Sequence, residues 1–113
     1  MIIGHETDVP AEASLLPGSQ ATIRWLIDKR QGAPNFALRV IELPGQGDRI
    51  PLHRHDYEHE MFVLAGRGRV LAAEGAKDVA RGDYVFTLPG EEHGFENTGD
   101  GPFRFICVIP NPK

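Results

Sequence analysis

The sequence is poor in cysteine, in clustered positive charge and in long apolar stretches. Its 113 residues include one cysteine, Cys107, so no disulfide can form within the chain. The formal net charge is -4 and the basic residues are spread among acidic ones, which argues against nucleic acid because such binding requires a basic patch or stripe. No apolar run approaches the ~20 residues that span a membrane, and the N-terminus carries His5, Glu6 and Asp8 where a secretion signal is basic and then apolar. We therefore expect a cytoplasmic protein without nucleic-acid or membrane partners.

Turn-forming residues, by contrast, are abundant. The 13 glycines and 9 prolines divide the chain into segments of roughly 8–12 residues, a spacing typical of an all-β sandwich or barrel. The length suits a single domain, which we place at residues 21–113. Residues 1–20 are expected to form an N-terminal segment that packs on the barrel or on a partner chain. The predicted strands are residues 21–27, 36–43, 58–65, 69–73, 84–88, 95–98 and 103–109.

The predicted strand at residues 58–65 carries a pattern with consequences for function. Successive side chains of a strand point to opposite faces, so His59, Met61 and Val63 share one face while Glu60 and Phe62 share the other. Both faces are largely apolar, which indicates a strand covered on both sides, as in a two-sheet barrel. The last strand follows the same pattern, and one of its faces carries Phe103, Phe105 and Cys107.

Four of the five histidines lie in two short windows of the sequence. His53 and His55 are two residues apart, so in an extended segment their rings point the same way. His59 follows on the next strand, and His93 comes after a Pro-Gly turn far downstream. Neutral imidazole is the commonest protein ligand of metals, and several converging imidazoles suit Zn, Mn, Fe, Cu or Ni. A purely structural zinc site is disfavoured because such sites are usually rich in cysteine.

The first histidine window resembles the first motif of the cupin superfamily, G-x5-H-x-H-x3,4-E-x6-G. Its fixed positions are filled by Gly47, His53, His55, His59 and Gly66. The departure is at position 59, where histidine replaces the glutamate ligand of the family. Glu60 is the rival if the longer spacing is used, but it faces away from His59 on the strand and leaves only five residues before Gly66. We therefore expect His59 to be the ligand.

The second window resembles the second cupin motif, G-x5-P-x-G-x2-H-x3-N. Gly82, Gly90, His93 and Asn97 fall in register, while Leu88 stands at the usual proline position. The two motifs together cover residues 47–97. The resemblance to the cupin superfamily implies a jelly-roll β-barrel.

Residues 33–36, 57–60 and 93–95 are similar, more closely, to the small manganese cupins with an all-histidine site. That resemblance implies one divalent metal ion held by His53, His55, His59 and His93. Mn or Fe is the expected ion, with Zn, Cu or Ni as alternatives. Four imidazoles on an octahedral ion leave two positions for substrate, dioxygen or both, and the uncompensated charge favours anionic ligands.

The side chains expected to face inward beside this site are mostly apolar, as in most small-molecule pockets. They are Trp25, Arg39, Met61, Val63, Phe103, Phe105 and Cys107. Arg39 is either a surface residue or, if it points inward, a ligand for a carboxylate. Cys107 is either a small buried hydrophobe or a thiol that lines the pocket.

The function that these residues favour is a metal-dependent oxygenase or oxidase acting on a small, mostly apolar organic molecule. Two alternatives stay open: a non-enzymatic, metal-dependent module that senses or binds a small molecule, and a sugar isomerase or epimerase. A short barrel leaves apolar sheet surface and strand edges uncovered, so we also expect a homodimer.

Overall fold

The structure, a computed structural model, describes residues 1–14 and 18–112. Within that part of the chain, ten strands form two sheets, accompanied by 3-10 helices at Glu6–Asp8 and Lys29–Gln31. The strands are β1 (Glu12–Ala13), β2 (Thr22–Ile27), β3 (Phe36–Leu43), β4 (Arg49–His53), β5 (His59–Ala65), β6 (Arg67–Ala72), β7 (Gly75–Ala80), β8 (Tyr84–Thr87), β9 (His93–Asn97) and β10 (Phe103–Pro110). A helix long and apolar enough to cross a membrane does not occur among these residues.

The two sheets enclose one hydrophobic core. The larger sheet has the order β1-β2-β3-β10-β5-β8 and the smaller one the order β4-β9-β6-β7. In β10 burial alternates strictly, and Phe103, Phe105 and Cys107 point into the core with at most 1% of their surface exposed. Phe95 from the smaller sheet packs against Phe105 with ring centroids 4.9 Å apart. The expected all-β jelly-roll fold is confirmed, with two facing sheets rather than one continuously hydrogen-bonded barrel.

The strands that were not predicted lie chiefly in the smaller sheet. Strand β4 contains Pro51 and a register shift between Ile50 and His53, so its sequence resembles a turn more than a strand. Strand β7 is rich in small and charged residues and lies at the edge of the sheet, where apolar alternation is not required. β4 forms through pairing with the distant β9, which a local pattern does not show, whereas β7 pairs with its neighbour β6 in a hairpin whose composition is untypical of a strand.

The N-terminal segment contacts the larger sheet of its own chain. β1 pairs with β2, and the Arg24 guanidinium donates hydrogen bonds to the carbonyl oxygens of Val9 (2.6 Å) and Glu6 (3.2 Å). Glu6 also forms an ion pair with Arg104 of β10. Ile2 and Ile3 remain exposed, and residues 15–17 of the segment lie outside the described residues. The division of the chain at residue 20 stays a prediction.

Two glycines allow the close approaches that shape the barrel. Gly66, the last glycine of the first motif, has a φ of 81°, and a Cβ there would lie 2.2 Å from the Pro102 carbonyl oxygen. A Cβ at Gly94 would lie 2.6 Å from the Ile50 carbonyl oxygen. Any side chain at Gly94 would therefore push β9 away from β4, and this strand pair carries His93 and His53.

Candidate metal centre

The four histidines of the two windows meet between the sheets at one end of the barrel. His53 ends β4 and pairs directly with His93, which begins β9 of the same sheet. His59 begins β5 of the opposite sheet, and His55 lies in the connection from β4 to β5. The chain therefore crosses from one sheet to the other between His53 and His59, and this crossing brings the rings together.

The distances between the histidine rings are short enough for the rings to bind one metal ion together. His53, His55 and His93 each offer one ring nitrogen, and these atoms lie within 4.8 Å of one another. The His59 ring centroid lies 4.7 Å from that of His93 and 5.0 Å from that of His55. His53, His55 and His93 could therefore hold a metal ion, and His59 lies beside them as a proposed fourth ligand.

Hydrogen bonds at the outer ring nitrogens leave the inner nitrogens available. His53 Nδ1 lies 2.8 Å from the Pro51 carbonyl oxygen, and His93 Nδ1 lies 2.9 Å from that of Glu91. A carbonyl oxygen only accepts, so Nδ1 carries the proton and Nε2 keeps its lone pair. The Nε2 atoms of His59 and His93 are buried and have no hydrogen-bond partner among the described residues. Ligand histidines in metal sites are held in this way, so the residues fit a bound metal ion.

Burial keeps these rings in the neutral form that binds metals. It lowers the pKa of His59 from 6.5 to about 3, and the nearby His93 and Arg39 act in the same direction. Burial likewise lowers the pKa of His93 and of His55. Metal ligation requires unprotonated imidazole, so the rings are ready to bind a cation near neutral pH.

The turn between β8 and β9 fixes the positions of the histidine segments. The backbone N–H of Gly90 donates to the His55 carbonyl oxygen at 2.7 Å. Arg54 and Glu92 form a partly exposed ion pair at 2.7 Å, and the Glu91 carboxylate accepts from the Leu88 backbone N–H at 3.0 Å. The two glutamates thus stabilise the turn from outside the site.

A cavity of about 230 Å³ opens beside the histidines. Its walls are mostly apolar, and besides the four histidines the described lining residues are Ser14, Ile23, Trp25, Arg39, Ile41, Ile50, Tyr57, Phe95, Cys107, Ile109 and Pro112. Three of the expected pocket residues are therefore present: Trp25, Arg39 and Cys107. The other four, Met61, Val63, Phe103 and Phe105, point inward but fill the core and do not line the cavity. The structure thus places these four side chains in the core, because facing inward is not enough to bring a side chain to the cavity.

Arg39 points inward from β3 into a position between two other expected pocket residues. It pairs with Trp25 on one side and with Cys107 on the other. Its Nη2 donates to Cys107 Sγ at 2.9 Å, and its guanidinium carbon lies 5.2 Å from the Trp25 ring centroid. Cys107 Sγ also lies 3.3 Å from His59 Nδ1. Burial raises the pKa of the Cys107 thiol, against the opposing effect of Arg39.

Tyr57 is a site residue that the sequence analysis did not assign. Its ring stacks on His55, with centroids 4.9 Å apart and planes inclined by 8°, and lies 5.3 Å from the His59 ring. Burial raises the pKa of its hydroxyl. The signal in the sequence was an aromatic residue placed midway between two expected ligands.

Glu60 lies on the opposite face of β5 from His59. Glu60 is exposed, whereas His59 is 6% exposed. The backbone alternation of β5 therefore directs the His59 side chain, and not that of Glu60, toward the other histidines.

A larger surface groove of about 710 Å³ lies between the β6–β7 hairpin and β8. Its described lining residues include no histidine. The four imidazoles and Arg39 line the smaller cavity instead.

The fold and the clustered imidazoles define a jelly-roll protein with a candidate metal centre at one end. Residues 39–109 match the family described as the cupin domain. This match covers more than half of the chain, which therefore belongs to the cupin family. A bound metal ion is common in this family.

Known relatives of similar structure differ in their activities. The polyketide cyclase RemF from Streptomyces resistomycificus is 35% identical, with a TM-score of 0.91 over 99% of this chain and 80% of RemF. A predicted oxalate decarboxylase from Thermotoga maritima is 26% identical, with a TM-score of 0.83 over 98% of this chain and all of its own. An oxalate-binding protein from Thermotoga maritima is 39% identical over 66 residues, which are 56% of this chain and 53% of that protein. The chain spans about half the length of the curated relatives it matches.

Proposed function

We propose that this chain is a metal-dependent enzyme that acts on a small, mostly apolar organic molecule bound beside a four-histidine centre. The observation that carries the proposal is the convergence of His53, His55, His59 and His93 beside a mostly apolar cavity. Mn or Fe is the proposed ion, and Zn, Cu and Ni suit the same donors. When bound, a divalent ion supplies Lewis acidity at coordination positions that the imidazoles leave free.

The reaction that we put first is a metal-assisted cyclisation of a polycarbonyl compound. The likeness to RemF, a polyketide cyclase, supports it because it extends over 99% of this chain at 35% identity. The cavity of about 230 Å³ is smaller than the roughly 300–1,000 Å³ of pockets that enclose drug-sized molecules. Only the reacting part of a longer chain would therefore enter, with the remainder at the mouth.

The residues around the centre have distinct tasks in this proposal. The carbonyl oxygens of Pro51 and Glu91 hold the rings of His53 and His93 in one orientation. The apolar walls exclude water from the reacting carbon atoms, which protects an enolate from protonation by solvent. Tyr57, whose ring stacks on His55 and lines the cavity, is the residue to which we assign proton exchange with the bound molecule.

An oxygenase or oxidase is the second candidate, favoured by the apolar walls and the donor set. The two reactions differ in what they consume, since a cyclisation by condensation releases water and an oxygenation uses dioxygen. A sugar isomerase is less well supported, because the described residues that line the cavity include no Asp or Glu to act on a polyhydroxylated substrate. A binding module without turnover is the outcome if neither reaction occurs.

The test begins with metal analysis of protein purified without added metal. The purified protein is then incubated with a linear 1,3,5-tricarbonyl compound under air and under nitrogen. Ring formation is followed by ultraviolet absorbance, and oxygen uptake is measured with an electrode. Cyclisation at equal rates with and without air supports the first candidate, whereas oxygen consumption supports the second.

Matched variants connect the activity with the centre. His93→Ala should lose metal and activity together, while Glu60→Gln, on the outer face of the same barrel end, should keep both. Metal-free wild-type protein that regains no activity with any of the five ions would contradict the proposal.

A further inference from the structure

The cavity beside the four histidines contains a buried cation without a carboxylate partner. Arg39 is 8% exposed, and its guanidinium is charged at any ordinary pH. Among the described residues, none of the ion pairs involves Arg39. Burying an unpaired charge is costly, so a protein that keeps one is expected to use it.

Most of the hydrogen-bonding capacity of Arg39 is unused. A guanidinium has five N–H donors. One of them, on Nη2, is directed at Cys107 Sγ, which is a weak acceptor. The Nε donor has no partner in the described structure, and the Trp25 ring contributes only a cation–π contact at 5.2 Å.

The charges around the cavity point to the kind of molecule that completes it. None of its described lining residues is Asp or Glu. Arg39 is the only lysine or arginine among them. A divalent ion at the histidines would add two further positive charges. The described lining therefore offers no negative charge beside Arg39 or beside the histidines.

Arg39 and the histidines are close enough to contact one small molecule. Both line the same cavity of about 230 Å³. Cys107 Sγ connects them, at 2.9 Å from Arg39 Nη2 and 3.3 Å from His59 Nδ1. The Cys107 Sγ atom therefore lies between the Arg39 guanidinium and the ring of His59, which is a proposed metal ligand.

We propose that Arg39 binds an anionic oxygen of the molecule in this cavity, so that the site selects a small, mostly apolar compound bearing a carboxylate or an enolate. Arginine suits this task because its planar N–H groups match two oxygens at once. The inference rests on the proposed function only in calling the bound molecule a substrate. Anion selection by Arg39 can be measured without any turnover.

The test uses Trp25, the only tryptophan of the chain, as a fluorescent reporter beside Arg39. Phenylacetate and its neutral isostere phenylacetamide are titrated into the protein as purified with its metal. Phenylacetate should bind more tightly by about tenfold or more, the effect expected of hydrogen bonds to a charged group. Acetylacetone, which forms an enolate, is titrated in the same way. If the binding of only one of the two compounds weakens when Arg39 is replaced, that compound shows which anionic group the site selects.

Variants of Arg39 decide whether the preference comes from this residue. Arg39→Met keeps an unbranched side chain without its charge and should abolish the preference, while Arg39→Lys should keep part of it. Arg49→Met, an exposed position on β4, is the matched control and should bind as wild type does. Burying an unpaired charge costs free energy that Arg39→Met removes, so this variant should not lower the melting temperature.

The alternative is that Arg39 only supports the fold through Cys107. In that case Arg39→Met would melt at a lower temperature, and acid and amide would bind equally well to the wild type, which overturns the proposal. Cys107→Ser should keep the preference for the anion, and its loss in that variant would also overturn it. If no substrate is turned over but the Arg39-dependent preference remains, the proposed function fails and the present inference stands.

Discussion

Acid should destabilise the metal-free protein through His59. The ring is 6% exposed, and burial lowers its pKa from 6.5 to about 3. The unfolded chain therefore binds a proton below about pH 6.5, while the folded chain does not until about pH 3. Folding stability is present in full above the unfolded pKa and is lost as the pH falls toward the folded one. At 1.36 kcal/mol for each pKa unit, the loss reaches about 5 kcal/mol, which is a large share of the roughly 5–15 kcal/mol that stabilise a domain.

Urea unfolding of chelator-treated protein, followed by circular dichroism between about pH 7 and pH 4, measures this loss. His59→Asn keeps a donor for Cys107 but cannot be protonated, so its stability should fall with pH by several kcal/mol less than that of the wild type. His5→Asn, the same replacement at an exposed histidine, is the matched control. Parallel curves for wild type and His59→Asn would refute the argument that His59 is buried in its neutral form.

Four further predictions follow from the geometry. His53→Ala should weaken metal binding beyond the roughly 10–100-fold loss caused by changes in supporting hydrogen bonds, measured by competition with a chelator, whereas Glu60→Gln should have no effect. Loss of metal binding in Glu60→Gln together with its retention in His59→Ala would show that the β5 register is wrong. His59→Glu should keep the metal and lower its M(III)/M(II) potential in voltammetry, because a negative ligand stabilises the higher oxidation state, and an unchanged potential would count against ligation at this position. Gly94→Ala should lower the melting temperature by several degrees, about 1–3 kcal/mol, since its Cβ would lie 2.6 Å from the Ile50 carbonyl oxygen; wild-type thermal stability would contradict this. Light scattering at micromolar concentration should give the mass of a dimer, and a monomer mass would rule out the expected pairing.

The spacing of the histidines was informative because, within a strand, the separation in sequence decides which face of the sheet a side chain occupies. Alternation along a strand is a property of the backbone, so His59 and Glu60 had to point to opposite faces once residues 58–65 were assigned to a strand. The structure places His59 inside and Glu60 outside. The all-β class was equally accessible, since turn residues at short intervals are themselves local features.

The strands of the smaller sheet show where local patterns fail. Strand β4 contains Pro51 and a register shift, and it becomes a strand through its pairing with β9, some forty positions away in the sequence. That pairing places His53 beside His93. The sequence therefore predicted which residues would meet, but not the strand that brings one of them there.

By itself, then, the sequence determined the all-β class and the faces on which side chains stand, because both follow from short-range backbone geometry. The set of four candidate ligands came from their spacing together with the resemblance to the cupin motifs. Only the tertiary structure decided which inward residues reach the cavity. Met61 and Phe105 face inward, as predicted, yet they fill the core, whereas Tyr57 and Arg39 line the open end. The physical reason is that the space left between two sheets depends on the packing of all the side chains between them, and no single strand carries that information.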